Sequence, residues 1–317
     1  MIVVAGEALI DLVPQDAAGR DADGRDGGGA GGGTGLPALV PRLGGGPYNT
    51  AVALGRLGSP VALCSRISAD AFGEALVEGL RGAGVDVSYV QRGAEPTTLA
   101  VASIGADGSA GYSFYVEGTA DRLFTAPDRL PDAVRAVSFG TCSLVLEPGA
   151  SAYEELLRRQ AARGVFTALD PNIRAGLIPD ADAYRARFKS WLPSVALLKL
   201  SEEDAQWLGG TPREWLASGP GAVVVTRGGE GLTVFTRNGG EWSVPGERVD
   251  VVDTIGAGDT VNAALLHGLC ARDALSAQSL ADLGADSWGE VLRFAARAAA
   301  VTVSRAGAEP PYAKELG

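Results

Sequence analysis

Short apolar segments and helical segments alternate along most of this chain. After an apolar segment at 3–11, apolar residues at helical spacing begin near Asn49 and stop at Gly58. An apolar segment at 61–65 and a second helical segment at 72–80 follow. Strands that alternate with helices in this order favour a parallel sheet covered by helices. The pattern therefore predicts an α/β fold.

The alternation resumes in the second half of the chain, after an interruption. Two predicted strands, 98–104 and 111–116, flank an Asp107-Gly108 pair, which is a strong hairpin signal. We expect a hairpin inserted into an α/β chain to form an edge or a lid. The later predicted strands are 136–139, 165–169, 195–200, 222–226, 232–236 and 241–244, and the later predicted helices are 152–163, 201–208, 259–269 and 288–303.

Composition excludes several classes of function. The 317 residues include 27 basic and 38 acidic side chains, and the net charge of −11 argues against binding to nucleic acid or a membrane surface. A single histidine, His267, excludes zinc sites built from several histidines. Three scattered cysteines provide no disulfide framework, which favours a cytoplasmic protein. No apolar run approaches the roughly 18 residues that a membrane span needs.

A glycine-rich segment lies at 15–36. It contains two runs of three glycines and almost no large apolar side chain. Such a segment has nothing to bury in a core, so it is predicted to be a mobile surface loop.

A second glycine-rich segment, at 253–260, immediately precedes a predicted helix and reads DTIGAGDT. Glycines at the start of a helix let consecutive N–H groups converge on an anion, which the positive helix end also favours. Asp259 would then stand beside a phosphate, where a carboxylate suits accepting a proton from an attacking hydroxyl. The segment alone is equally compatible with turn glycines and a first-turn acid. It is not a Walker loop, because no GxxxxGK[ST] occurs and no lysine is near it in sequence.

A third glycine-rich segment, at 44–51, precedes the first predicted helix and reads GGGPYNTA. Three glycines allow a ligand to approach the backbone closely, and the Asn49 amide can both donate to and accept from sugar hydroxyls. On its own the segment is also compatible with a loop and an N-cap Asn. Together with the Asp11 carboxylate it predicts a polyol pocket.

Five segments together resemble signatures of the ribokinase-like (PfkB) family of carbohydrate kinases, across almost the whole chain. The resemblance lies in GEALID at 6–11, the segment 44–51, DPNIR at 170–174, TRGGEG at 226–231, and the segment 253–260, which is the most specific. The DPNxR run is similar to that of the fructokinase and 2-keto-3-deoxygluconate kinase branches.

The resemblance implies a three-layer α/β/α core with a mostly parallel sheet and a small β-sheet lid over the sugar. The core would comprise residues 1–8, 44–93 and 122–317, and the lid residues 9–43 and 94–121. Lid closure would exclude water from the reaction.

The resemblance also implies roles for individual residues. Asp259 would take the proton from the sugar's primary hydroxyl, while the amides of Gly256, Ala257 and Gly258 stabilise charge on the transferred phosphoryl group. The sugar would be bound by Asp11, Gly44, Gly45, Asn49, Arg174 and Asp259. ATP would be bound by Thr226, Gly228, Gly231, Gly256 and Gly258.

Two cations are implied as well. Mg²⁺ would bridge the ATP phosphates and be organised through water by Asp204, which stands where the family's NxxE run has its Glu. K⁺ would bind beside the anion site, at Asp253, Ile255, Ser304 and Gly307.

The implied activity is ATP-dependent phosphorylation of a primary hydroxyl on a small sugar, with a fructose-like ketohexose favoured. The alternatives are a 2-keto-3-deoxygluconate kinase, a ribokinase, a nucleoside kinase or a non-catalytic sugar sensor; the intact Asp259 argues against the sensor. An NAD-dependent oxidoreductase is disfavoured, because no GxGxxG follows an early strand. The expected partner is a small-molecule sugar rather than nucleic acid or a membrane, and the protein would be a monomer or homodimer.

Overall fold

The computed structural model describes residues 1–15, 38–104 and 110–317. The strands are β1 (Ile2–Ala5), β2 (Leu9–Pro14), β3 (Leu39–Gly44), β4 (Val61–Ser68), β5 (Val90–Gly93), β6 (Leu99–Ile104), β7 (Ala110–Tyr115), β8 (Ala136–Gly140), β9 (Phe166–Asp170), β10 (Leu197–Ser201), β11 (Ala222–Thr226), β12 (Leu232–Thr236) and β13 (Glu241–Val244). The helices are α1 (Gly46–Arg56), α2 (Ala71–Gly82), α3 (Gly149–Ala162), α4 (Ala181–Trp191), α5 (Glu202–Leu208), α6 (Pro212–Ser218), α7 (Ala257–Ala271), α8 (Ala277–Asp282) and α9 (Ala285–Val303).

The strands form a large and a small sheet. The large sheet has the order β13-β12-β11-β10-β9-β8-β1-β4-β5, and all its pairings from β11 to β5 are parallel. β12 and β13 extend one edge with antiparallel pairings. The small sheet has the order β3-β2-β6-β7. This arrangement confirms the predicted fold class, a mostly parallel sheet with a smaller second sheet.

Helices cover both faces of the large sheet because its strands are apolar on both sides. Along β1, Ile2 and Val4 join the buried cluster under α1, α2, α7, α8 and α9, while Val3 and Ala5 join the cluster under α3, α4, α5 and α6. Side chains alternate between the faces of a strand, so one short segment contributes to both cores. The result is three layers, α/β/α.

The prediction of one strand over 3–11 is wrong. The structure divides this segment into β1 and β2, which belong to different sheets, and Gly6 lies at the break with φ of +152°. A Cβ on Gly6 would lie 2.3 Å from Pro47 Cγ and 2.7 Å from Ser143 Oγ. Glycine is therefore needed where the chain passes from one sheet to the other.

The predicted hairpin over 98–116 is confirmed, since β6 pairs with β7 antiparallel; its turn at Asp107-Gly108 lies outside the described residues. The predicted loop at 15–36 also lies outside them, apart from Gln15. The first predicted helix begins at Gly46 rather than near Asn49, with Gly45 as its N-cap. The sequence reading omitted β3, β5, α4, α6 and α8. Within the described ranges, we found no helix with the length and hydrophobicity of a membrane span.

Candidate active site

The carboxyl ends of the parallel strands meet at one edge of the large sheet, and the candidate site lies there. β1 and β8 are neighbours, but the chain leaving β1 reaches β4 on one side and the chain leaving β8 reaches β9 on the other. Ligands in open α/β sheets bind at such switch points. Glu7, just after β1, accepts hydrogen bonds from the Thr141 hydroxyl and, at 3.0 Å, from the Ser143 amide, just after β8.

The first turn of α7 borders this edge. Gly256 is its N-cap, with a left-handed φ of +76°, and a Cβ there would lie 2.6 Å from Ala308 Cβ. The Ala257 amide donates to the Thr254 carbonyl at 3.3 Å. The amides of Gly256 and Gly258 have no acceptor within the described part of the chain. Two of the three predicted amides are thus available to an anion.

Asp259 occupies the same turn and is buried, with 7% of its surface exposed. Its Oδ2 accepts a hydrogen bond of 2.9 Å from the Asn49 side-chain amide, and Thr50 Oγ1 donates to its backbone carbonyl at 3.4 Å. Burial raises the pKa of Asp259 to about 7, while the Asn49 hydrogen bond opposes this rise. A carboxyl group with a pKa near neutrality suits general-base chemistry.

A cavity of about 280 Å³ joins the two sheets at this point. It brings together most of the predicted sugar and phosphate residues, together with one predicted K⁺ residue, Ile255: the former are Asp11, Gly45, Asn49, Arg174, Gly256, Gly258 and Asp259. The glycine-rich segments at 44–51 and 253–260, distant in sequence, therefore contribute to one cavity. Gly44 lies behind it, since a Cβ on Gly44 would fall 2.0 Å from Asp11 Oδ2.

Asp11 lies within β2, on the small sheet, and its side chain reaches the cavity. Burial raises the pKa of this carboxyl to about 6, and the Arg174 guanidinium opposes the rise. Asp11 thus lines the cavity from the small sheet, while Glu7 and Asp259 line it from the side of the large sheet. A ligand with several hydroxyl groups can donate hydrogen bonds to these carboxylates.

Arg174 reaches the cavity from an exposed loop, where its Nη1 donates to Asn172 Oδ1 at 2.7 Å. Asp204 holds this loop, because its Oδ1 accepts from the Ile173 amide at 2.8 Å. Asp204 and Ser201 also form a capping box at the start of α5, in which Asp204 Oδ2 accepts from the Ser201 amide. Asp204 is therefore buried against backbone and does not line the cavity.

Of the predicted nucleotide residues, Gly256 and Gly258 line the cavity, whereas the other three lie further along the same edge and do not. Thr226 ends β11, and Gly228 and Gly231 flank a short turn with φ of +50° and +105°. A Cβ on Gly231 would fall 2.0 Å from the Val244 carbonyl oxygen. Glycine at these positions allows a tight loop at the carboxyl end of β11.

The predicted K⁺ residues are linked by one carboxylate. Asp253 accepts from the Ile255 amide at 3.0 Å and from the Gly307 amide at 2.9 Å, through different oxygens. The Asp253 amide itself donates to the Val303 carbonyl, next to Ser304. The loop before α7 and the end of α9 are therefore fastened together beside the first turn of α7.

Several site residues were not identified from the sequence. Tyr112 and Phe114 on β7 line the cavity from the small sheet, and Thr141, Cys142 and Asn172 line it from the large sheet. Lys199 lies close to Gly258 in space, although no lysine is near that segment in sequence. The signal for Lys199 was available: it is a charged residue inside an otherwise apolar predicted strand, and a charge in such a place needs a partner.

The layered fold and this cavity define a ribokinase-like kinase architecture. Residues 1–315 match the pfkB family carbohydrate kinases. A fructokinase of Rhizobium leguminosarum bv. trifolii is 39% identical over 291 residues, covering 89% of this chain and 84% of that protein. Fructokinase-1 of Oryza sativa subsp. japonica is 30% identical, covering 100% and 95%. The chain therefore belongs to the pfkB family of carbohydrate kinases, as its motifs predicted.

Solved structures agree with this assignment. The crystal structure of a Xylella fastidiosa fructokinase with bound ATP superposes with a TM-score of 0.84 at 28% sequence identity, covering 99% of this chain and 97% of that one. The predicted enzyme class, an ATP-dependent carbohydrate kinase, is confirmed.

Proposed function

We propose that this enzyme transfers the γ-phosphoryl group of ATP to a primary hydroxyl of a ketohexose, with fructose as the favoured acceptor. The observation that carries the proposal is the Asp259 carboxylate in the amide-lined first turn of α7, held by Asn49 at 2.9 Å and open to a cavity shared with Asp11. The fructokinases among its relatives support fructose as the acceptor.

In the proposed reaction, the acceptor hydroxyl lies within hydrogen-bonding reach of Asp259. Its oxygen attacks the γ-phosphorus, its proton passes to the Asp259 carboxylate, and the bond from phosphorus to the ADP oxygen breaks. The Gly256, Ala257 and Gly258 segment provides N–H groups for the phosphoryl oxygens, where fixed dipoles stabilise developing charge. Asp11, Gly44, Gly45, Asn49 and Arg174 would orient the sugar, and Thr226, Gly228 and Gly231 would line the nucleotide site.

The small sheet is proposed to act as the lid, within residues 9–43 and 94–121. Asp11, Tyr112 and Phe114 reach the cavity from β2 and β7. Closure of this sheet would place aromatic rings over the sugar and exclude water, which competes as a phosphoryl acceptor.

Both carboxylate oxygens of Asp204 accept from backbone amides, so it could contribute to a cation site only through water. No group of three or more His, Cys, Asp or Glu side chains suited to a metal occurs in the described ranges. Mg²⁺ commonly takes one or two carboxylates together with substrate phosphates, so Asp204 acting through water remains our proposed protein contribution. When bound, Mg²⁺ would neutralise charge on the ATP phosphates. The Asp253, Ile255, Ser304 and Gly307 cluster is proposed to hold K⁺ through carboxylate and carbonyl oxygens.

A keto-sugar acid is the second candidate acceptor, because the Arg174 guanidinium lines the cavity and matches a carboxylate.

We propose that the protein is cytoplasmic, since all three cysteines are free thiols. We propose a monomer or homodimer.

The test is a coupled ADP-release assay with fructose, 2-keto-3-deoxygluconate, ribose and adenosine. We expect turnover to be highest with fructose and to fall about 10²–10⁴-fold in Asp259→Asn. Asp286→Asn, which removes an exposed acid from the first turn of α9, is the matched control and should retain wild-type turnover. Preference for the keto acid that disappears in Arg174→Ala would establish the second candidate instead. If none of the four acceptors is phosphorylated, the proposal is refuted.

A further inference from the structure

A lysine side chain is buried beneath the first turn of α7. Lys199 lies on β10 and is only 4% exposed. It alternates with Leu198 and Leu200, so it points to the face of the sheet that α7 covers. Its Nζ is 3.1 Å from the position that a Cβ on Gly258 would take. A unit positive charge therefore lies close to Gly258, one of the two residues of this turn whose amides have no acceptor in the described part of the chain.

This ammonium is held by a buried carboxylate. Lys199 Nζ donates to Asp170 Oδ2 at 2.7 Å, and Asp170 ends the neighbouring strand β9. Asp170 is the only hydrogen-bond acceptor of Lys199 within the described residues, whereas an ammonium has three N–H donors. Asp170 Oδ1 likewise has no partner there. The pair fixes the position of the ammonium without using its full hydrogen-bonding capacity.

The pair is also electrostatically close to Asp259. Asp170 and Asp259 line the same small internal cavity, together with Thr50, Ser138 and Asn262. Of the two charges, Asp170 has the larger effect on the pKa of Asp259, which it raises, and Lys199 lowers that pKa. The two charges of the pair are thus near enough to act on the proposed base, although neither lines the cavity for the sugar.

We propose that Lys199, held by Asp170, is a positioning residue for phosphoryl transfer whose ammonium strengthens the anion site from behind. This inference rests on the proposed kinase function. As the sugar oxygen bonds to phosphorus and the bond to ADP breaks, the transferred group's negative charge faces the α7 amides. A fixed positive charge in a buried setting favours that charge, and no proton moves to or from Lys199.

The alternative is that the pair only joins β9 to β10. Removing Lys199 alone would leave the Asp170 carboxylate buried and unpaired, which is strongly destabilising and would obscure the comparison. The informative variant is therefore Lys199→Met with Asp170→Asn, which removes both charges together. Asp170→Asn alone, which retains the ammonium and leaves it an amide oxygen as hydrogen-bond acceptor, is its matched partner. Lys189→Met, which removes an exposed lysine of α4, controls for loss of a lysine elsewhere.

The experiment measures kcat and KM for the sugar that the wild type phosphorylates, and the Kd of ADP with and without aluminium fluoride in the presence of that sugar. For the double variant we expect kcat and the affinity for the ADP–aluminium fluoride complex to fall about 10²-fold, with KM and the Kd of ADP alone within about threefold. Asp170→Asn should retain kcat within about tenfold of that of the wild type. Lys189→Met should have the same kcat as the wild type.

Two results would overturn the inference: unchanged kcat in the folded double variant, or equal weakening of ADP and its aluminium fluoride complex. If the double variant does not fold, Lys199→Gln with Asp170→Asn retains a polar contact and is judged by the same measurements. If the wild type phosphorylates no sugar, the proposed function itself is refuted. If the wild type and the double variant are equally active, only this inference is refuted.

Discussion

Replacing the proposed base should stabilise the protein while inactivating it. Burial raises the pKa of Asp259 from its ordinary 3.8 to about 7. Each pKa unit corresponds to about 1.36 kcal/mol, so keeping this carboxylate ionised in the folded protein costs about 4 kcal/mol. Asp259→Asn removes that cost and preserves the shape of the side chain. Near pH 8 we expect the variant's free energy of unfolding to exceed that of the wild type by up to this amount.

The size of the stability difference depends on pH. Below about pH 4 the carboxyl is protonated in both the folded and unfolded states, so the advantage of the variant should vanish. It should grow between pH 4 and 7, where the unfolded protein has already released the proton that the folded protein retains. In the wild type, kcat/KM should fall as the pH drops below about 7, because a protonated Asp259 cannot accept a proton.

Urea unfolding at pH 4 and pH 8, paired with ADP-release assays, measures both effects. Asp286→Asn is again the control and should leave stability and turnover near wild type at both pH values. Equal stability of Asp259→Asn and wild type at pH 8 would show that the carboxylate is not penalised by burial. Near-normal turnover of Asp259→Asn would show that it is not the base.

Two further predictions concern sugar binding and the phosphate turn. Because burial raises the pKa of Asp11 to about 6, KM for the sugar should rise as the pH falls below 6. In Asp11→Asn, a plot of KM against pH should not show this rise. Gly256→Ala should lower the free energy of unfolding by about 1–3 kcal/mol and reduce kcat, since a Cβ meets Ala308 at a φ of +76°. Gly82→Ala, where nothing lies within 4 Å, should leave both quantities near wild type; equal effects of the two substitutions would refute the steric argument.

The fold was largely predictable because the signals that define it are local. Each buried strand of the large sheet is a short apolar run, and the chain alternates these with helices, so both the class and the order of elements follow from the sequence. The anion site was predictable for the same reason, since its glycines and Asp259 are contiguous. The split of 3–11 into two strands was missed because both halves are apolar, and only packing against Pro47 and Ser143 shows why Gly6 divides them.

The remaining parts of the site depend on contacts between distant segments. Lys199 approaches Gly258 only because β10 lies under α7, and Tyr112 reaches the cavity only because β7 belongs to the small sheet. The relative placement of such elements cannot be inferred from the sequence of either segment alone. Sequence reasoning placed Asp204 near a metal, and its backbone partners Ile173 and Ser201 became visible only in three dimensions.

Two carboxylates that line the cavity stand on separate elements: Asp11 is on the small sheet and Asp259 on α7. The roles that we propose for these two residues assign acceptor choice and phosphorus chemistry to different parts of the chain. Substitutions along β2 and β7 can retune which polyol is admitted while the transfer apparatus stays intact. Such a division of labour gives this scaffold a simple route to new substrates, and it marks the small sheet as the place to begin redesigning specificity.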